Sequence, residues 1–320
     1  MNFKITCTQK PGLSGIPPCK SAGSVLNYPQ RFHIEPKKEK RLIMAHTWAL
    51  SVSHDNMGKE LWLDRMAESD VCNYEYSCGP APSAADVKKR IDFLAPRLGK
   101  GVNFVSLHLP FWWGGERPAQ PEEFERDICA RRLAFLAERF LPLGMKNLTM
   151  HPGSLVEGQE RADGIKNVRK TVQSMIPTVE KYGLSLNLEI CPRGSLGGMP
   201  EEMEALLDGM PDCVGICFDV NHADKRYKEV PQWIARLKKR IRAFHISDSD
   251  GEDECHWFPG LGALDWPAVM KEINAIDHDC VLIYEVVADG LKQPAFLNRE
   301  FDPRFYLRQV ARNMKWLQSL

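Results

Sequence analysis

What constrains this chain most is a rhythm that sets in at Arg41. Short runs rich in Val, Ile, Leu and Phe alternate with longer segments of helical period. The spacing predicts strands over 42–49, 71–76, 103–109, 147–151, 185–190, 214–220, 241–247 and 280–286. Between them it predicts helices over 84–97, 122–140, 161–181, 201–207, 231–239 and 267–275, with a last one over 303–317. A parallel strand pair needs a crossover long enough to hold a helix, so this alternation implies βαβ units and a parallel sheet. Eight such units suit an α/β fold of the closed (β/α)8 TIM-barrel kind. No GxGxxG or GxxxxGK[ST] follows the first strand, which argues against a nucleotide-binding open sheet.

The 320 residues fit one barrel domain, expected over 41–320, behind an N-terminal extension over 1–40. That extension carries Pro11, Pro17, Pro18, Pro29 and Pro36 and leads into the basic run Lys37–Arg41, which reads as a solvated charge cluster. Lys plus Arg equals Asp plus Glu at 42 each, which disfavours a protein that binds by neutralising many phosphates. No apolar run is long enough to span a bilayer, and the first residues lack the apolar stretch of a secretory signal. Ten cysteines are scattered without a CxxC pair, the pattern of reduced thiols, and a cytoplasmic location is expected.

Active sites in such barrels sit at the C-terminal ends of the strands. Ionisable side chains gather there: His108, His151, Glu189, Asp219, His245 and Glu285 at strand ends, with His222 and His256 in the loops beyond. Carboxylates inside runs as apolar as Leu186–Ile190 and Leu282–Val286 need a cation or donors, because burying them unpaired is costly. Six strands converging with His, Glu and Asp have the composition of a divalent metal site.

Several segments resemble the xylose-isomerase-like TIM barrels: Ser106–Phe111, Leu188-Glu189, Phe218–His222, Phe244–Asp248 and Asp253–Trp266. That superfamily holds sugar and sugar-phosphate isomerases and epimerases, and also endonuclease IV. The resemblance implies one divalent ion (Mn, Co, Mg or Zn) held by Glu189, Asp219, His245 and Glu285. It also implies Glu189 and Glu285 as acid and base on two faces of a sugar, with transfer through a metal-stabilised enediolate. His222 would donate to the developing oxyanion. Substrate contacts are expected from His108, Trp112, Trp113, His151, Arg193 and His256. The arginine that one epimerase group places just past the strand-seven histidine is missing from Ile246–Glu252, so Arg193 is the substitute on offer.

Two further activities lie within the resemblance. One is a keto-sugar lyase using the same enediolate. The other is an endonuclease IV-like trinuclear zinc phosphodiesterase, whose wider ligand set the chain matches except that Glu254 stands where an Asp belongs. A barrel that binds a sugar or metal without turnover would not need two glutamates. The rim loop Asp248–Glu254 is strongly acidic and would repel a phosphate backbone, whereas Trp112-Trp113 suits a sugar face. A small sugar is therefore the expected partner, with no nucleic acid and no membrane. Trp112, Trp113 and the extension are candidate contacts for a homo-oligomer.

Overall fold

A computed structural model describes residues 46–53, 60–79, 81–111, 117–192, 194–286 and 303–320. The strands are β1 (Thr47–Ser53), β2 (Asn73–Ser77), β3 (Asn103–His108), β4 (Asn147–Met150), β5 (Ser185–Glu189), β6 (Val214–Asp219), β7 (Ile241–Ile246) and β8 (Val281–Tyr284). They pair in parallel and in sequence order, and β8 closes on β1 to complete the barrel. The helices among the described residues are α1 (Glu60–Ala67), α2 (Ala84–Leu94), α3 (Glu123–Phe140), α4 (Arg161–Tyr182), α5 (Pro200–Leu207), α6 (Val230–Leu237), α7 (Trp266–Ile273) and α8 (Pro303–Gln318). None of them is long and apolar enough to cross a membrane.

Side chains two apart on a strand share a face, and this period sorts the barrel into an outside and an inside. Leu186, Leu188, Ile216, Phe218, Phe244, Ile246, Leu282 and Tyr284 join one large core with helix residues such as Val168, Met203, Ile234 and Val269. Each such side chain contributes roughly 1.5–3 kcal/mol by leaving water. The alternate positions include Ala49, Cys217, Ala243 and Ile283, which form a separate small cluster. Two residues further on from Cys217, Ala243 and Ile283 stand Asp219, His245 and Glu285. The same step from Asn187 reaches Glu189.

Strand β1 departs from its expected span. Its ladder runs from Thr47–Leu50 against β8 to Leu50–Ser53 against β2, so it extends past Ala49 to Ser53, where Leu50 and Val52 enter the core. The earlier part of that expected span, residues 42–45, lies outside the described residues, as does the proposed extension over 1–40. Helix α1 was not expected, since Glu60–Ala67 is short and balances charged against apolar side chains.

Candidate metal centre

Three groups of donors meet at the C-terminal mouth. The first comprises Glu189, Asp219, His245 and Glu285, whose ligand atoms all lie within 4.8 Å of one another. His245 Nδ1 is 3.4 Å from Glu189 Oε1, 3.9 Å from Asp219 Oδ2 and 3.2 Å from Glu285 Oε2. Register explains part of this, since Asp219 and His245 are direct partners across β6 and β7. Asp219 Oδ2 and both ring nitrogens of His245 are buried and make no hydrogen bond. Leaving such atoms unpaired costs several kcal/mol, and a divalent cation among them would offset it. The residues present therefore fit a metal ion.

The second group is His108, His151 and Glu189. Both histidine Nε2 atoms lie 3.0 Å from Glu189 Oε2. Glu189 is thus shared by two groups, with its oxygens divided between them, and its side chain is only 1% exposed. Phe111 lies 4.7 Å, centroid to centroid, from the rings of both His108 and His151 and forms an apolar wall beside them.

The third group is His222, Glu254 and His256. Glu254 Oε1 lies 3.5 Å from His222 Nε2 and 2.5 Å from His256 Nε2. His222 comes from the segment after β6, and its Nε2 also lies 3.3 Å from Asp219 Oδ2. The other two come from the long loop after β7, where His256 adopts the left-handed conformation with φ of 50°, rare for a residue with a side chain. That loop is built on Asp248, which is fully buried. Its carboxylate accepts from the backbone N–H groups of Ser249, Gly260 and Leu264 and from the Trp266 indole. Gly262 permits the close fit, because a Cβ there would lie 2.3 Å from Asp248 Oδ1.

Backbone carbonyls orient three of the rings. The Nδ1 atoms of His108, His222 and His256 lie 2.9, 2.7 and 2.8 Å from the carbonyls of Leu109, Ile190 and Glu285. A carbonyl only accepts, so each Nδ1 carries a hydrogen. In the metal-free chain each Nε2 faces a carboxylate and carries one as well, and it is this second proton that a cation would displace to reach the Nε2 lone pair.

In the metal-free chain these acids and imidazoles compensate one another. Burial pushes Asp219 up to about 7, against the pull of His222 and His245. Burial opposes ionisation of Glu285 too, but His245 and His256 hold it down at about 2. Glu189 is held well below the usual carboxylate range by His151, His245 and His108, which outweigh its burial. Burial opposes the charged form of His256, yet Glu254 and Glu285 raise it to about 9. Burial opposes the charged forms of His108, His222 and His245 too, yet surrounding carboxylates raise the first two, and Cys217 with Glu285, Glu189 and Glu75 raises His245.

The structure thus brings together His108, His151, Glu189, Asp219, His222, His245, His256 and Glu285, all singled out from sequence. Trp112, Trp113 and Arg193 lie outside the described residues. Asp248 was read only as part of an acidic rim, and Glu254 only as an imperfect ligand. Glu75, whose Oε1 is 3.3 Å from His245 Nε2, was not singled out, since nothing in Asn73-Tyr74-Glu75-Tyr76-Ser77 distinguishes it from a solvated glutamate.

Residues 74–320 match the family model described as xylose isomerase-like TIM barrel. The chain is 26% identical over 244 residues to the uncharacterized protein MJ1311 of Methanocaldococcus jannaschii, covering 73% of this chain and 82% of that protein. It is 29% identical over 136 residues to an apurinic-apyrimidinic endonuclease of Caenorhabditis elegans, a match that spans 38% of this chain and 34% of the relative. Among solved structures, a D-tagatose 3-epimerase-like protein shares the fold with a TM-score of 0.66 at 20% identity, over 85% of this chain and 98% of its own. With a family model that spans most of its length and a closed eight-stranded parallel barrel, this chain belongs to the xylose isomerase-like TIM barrel family.

Proposed function

We propose that this chain is a divalent-metal-dependent enzyme that isomerises or epimerises a small sugar or sugar phosphate by moving a proton at a carbon beside a carbonyl. The observation that carries this reading is the asymmetry of its two central glutamates. Glu189 is 1% exposed with both oxygens facing imidazoles, whereas Glu285 in the same donor group is 24% exposed at the mouth. The ion pairs of Glu285 run through Oε2 towards His245 and His256.

Glu189, Asp219, His245 and Glu285 would hold the ion. When bound, a divalent cation would act as a Lewis acid towards substrate oxygens. The chain's own residues supply the rest. Glu285, ligand and open carboxylate at once, takes or returns the substrate proton. Glu189 holds the centre together. Glu285 alone suffices for isomerisation, whereas inverting a carbon needs a second proton carrier on the opposite face, the role its place in the sequence gives Glu189. His222, with Nδ1–H committed to the Ile190 carbonyl, presents Nε2 to Asp219 and Glu254 and organises those acids. His151 and Phe111 offer a polar and an apolar surface for the substrate.

A second reading, phosphoester hydrolysis at a multinuclear centre, is favoured by one observation: Glu189 is common to two donor groups and a third stands beside them. The C. elegans relative named above is an endonuclease, which keeps this reading in view. The acidic loop after β7 weighs against a long nucleic acid, because Glu252 already engages Lys225 at 2.7 Å and so withdraws a cation from the rim. The test is deuterium incorporation from D2O into a panel of ketoses and ketose phosphates, with and without added Mn, Co, Mg or Zn. Metal-dependent exchange at one carbon supports the isomerase reading. Absence of exchange across the panel, with cleavage of an abasic-site duplex or a simple phosphodiester, overturns it.

A further inference from the structure

We infer that Glu75 is a positioning residue for this centre, fixing which nitrogen of His245 faces the acids; the inference rests on the metal reading given above. Glu75 lies on β2, a strand that contributes no residue to any of the three donor groups, and it is fully buried. A carboxylate that deep in a barrel needs donors on both oxygens. Register supplies them, since Ser51 on β1 and Ser106 on β3 are its direct partners. Ser51 donates to Oε1 at 3.1 Å and Ser106 to Oε2 at 2.7 Å. The second partnership depends on a bulge, for the pairing steps from Tyr74–Phe104 to Glu75–Ser106 and skips Val105. Without that step the carboxylate would be paired with a valine. Bulges near functional sites re-aim side chains in this way.

Ser106 is itself held in one sense. Asn147 Nδ2 donates to Ser106 Oγ at 3.1 Å, Asn187 Nδ2 to Asn147 Oδ1 at 2.7 Å, and Ser185 Oγ to Asn187 Oδ1 at 3.0 Å. Each bond points the same way, from β5 through β4 and β3 to β2, and the chain ends on Glu75 as an acceptor. Such chains polarise one another and favour a single arrangement of hydrogens. Gly215 leaves room for it, because a Cβ there would sit 2.7 Å from Asn187 Oδ1.

Glu75 therefore presents only acceptor character to His245 Nε2, which stands 3.3 Å from Oε1 at ion-pair distance, though not aligned as a hydrogen bond. Both ring nitrogens of His245 face carboxylates, so both can carry a hydrogen in the metal-free chain. When a cation takes one lone pair, the nitrogen facing Glu75 keeps its hydrogen and the other binds the ion. That other nitrogen is Nδ1, the one turned towards Glu189, Asp219 and Glu285. With an ion bound, His245 thus takes the tautomer opposite to the one that the backbone carbonyls impose on His108, His222 and His256, and the polar ladder under the site favours it.

The test loads 15N-histidine-labelled protein with 113Cd and reads cadmium–nitrogen coupling by NMR. Wild type should couple through Nδ1 of His245, and through Nε2 of His108, His222 or His256 wherever a further cadmium occupies their groups. Glu75→Gln should weaken uptake of the ion held by His245 about 10–100-fold and mix its tautomers, while far-UV circular dichroism and the other rings stay unchanged. Ser106→Ala, which keeps the carboxylate and removes one donor, should move both readouts the same way by less. Should Glu75→Gln fail to fold, the wild-type couplings and Ser106→Ala decide the matter. Coupling through His245 Nε2, or wild-type affinity in Glu75→Gln, overturns the role of Glu75 alone. A folded wild type that takes up no cadmium overturns the metal reading together with it.

Discussion

Asp248 accepts the indole N–H of Trp266 at 2.8 Å, joining the exit of β7 to the first residue of α7. Between those two residues lies the loop that carries Glu254 and His256, and three of its backbone N–H groups converge on the same carboxylate. The acid most prominent in the rim sequence thus faces inward and shapes the loop, while Glu254 faces the donors.

Removing that carboxylate should cost both stability and the third donor group. Asp248→Ala leaves buried donors without an acceptor, and roughly 3–5 kcal/mol of stability should be lost. Urea unfolding monitored by tryptophan fluorescence measures it. A change below about 1 kcal/mol would mean that the loop finds its shape without Asp248.

Proton transfer is expected to depend on Glu285 more than on any other residue at the mouth. Glu285→Gln should lower the rate of deuterium exchange by about 10²–10⁴-fold, the usual contribution of a general acid–base group. Equilibrium dialysis should still find ion binding, weakened, because Glu189, Asp219 and His245 remain. Near-wild-type exchange in this variant would assign proton transfer to another group.

Ion uptake should expel protons. In the metal-free chain burial pushes Asp219 up to about 7 and His245 is raised as well, so near pH 7 these two ligands hold protons that a cation must displace. His108, His222 and His256, also raised, add to the release where a cation occupies their groups. Affinity should accordingly rise with pH from 6 to 9, and calorimetry in buffers of different ionisation heat should report net proton release. Uptake independent of pH over that range would contradict the histidine assignment.

The barrel was legible because parallel strands covered on both faces read as short, nearly continuous apolar runs, such as Val214–Phe218, broken only where Asp219 meets the mouth. The donors were legible for the same reason, since Glu189 and Glu285 stand out inside apolar surroundings. Glu75 was not legible, because its meaning depends on a bulge in the neighbouring strand and on a ladder of side chains that runs through that strand to two others. Asp248 looked like a rim acid, because the direction of a loop side chain is decided by donors distant in sequence, here Gly260, Leu264 and Trp266. The sharing of Glu189 between two donor groups likewise depends on distances across β3, β4, β5 and β7 that no spacing along the chain encodes.

The most direct test of the account is the divalent metal content of the folded chain by plasma mass spectrometry, wild type beside Glu189→Gln, after equilibration with Mn, Co, Mg or Zn. The account predicts at least one tightly held ion per wild-type chain and its loss in Glu189→Gln, since that side chain serves two donor groups. A count of two or three would further mean that His108, His151, Glu254 and His256 act as ligands, and would favour the hydrolytic reading. A folded wild type that holds no ion, or a Glu189→Gln variant that holds as many as wild type, would contradict it.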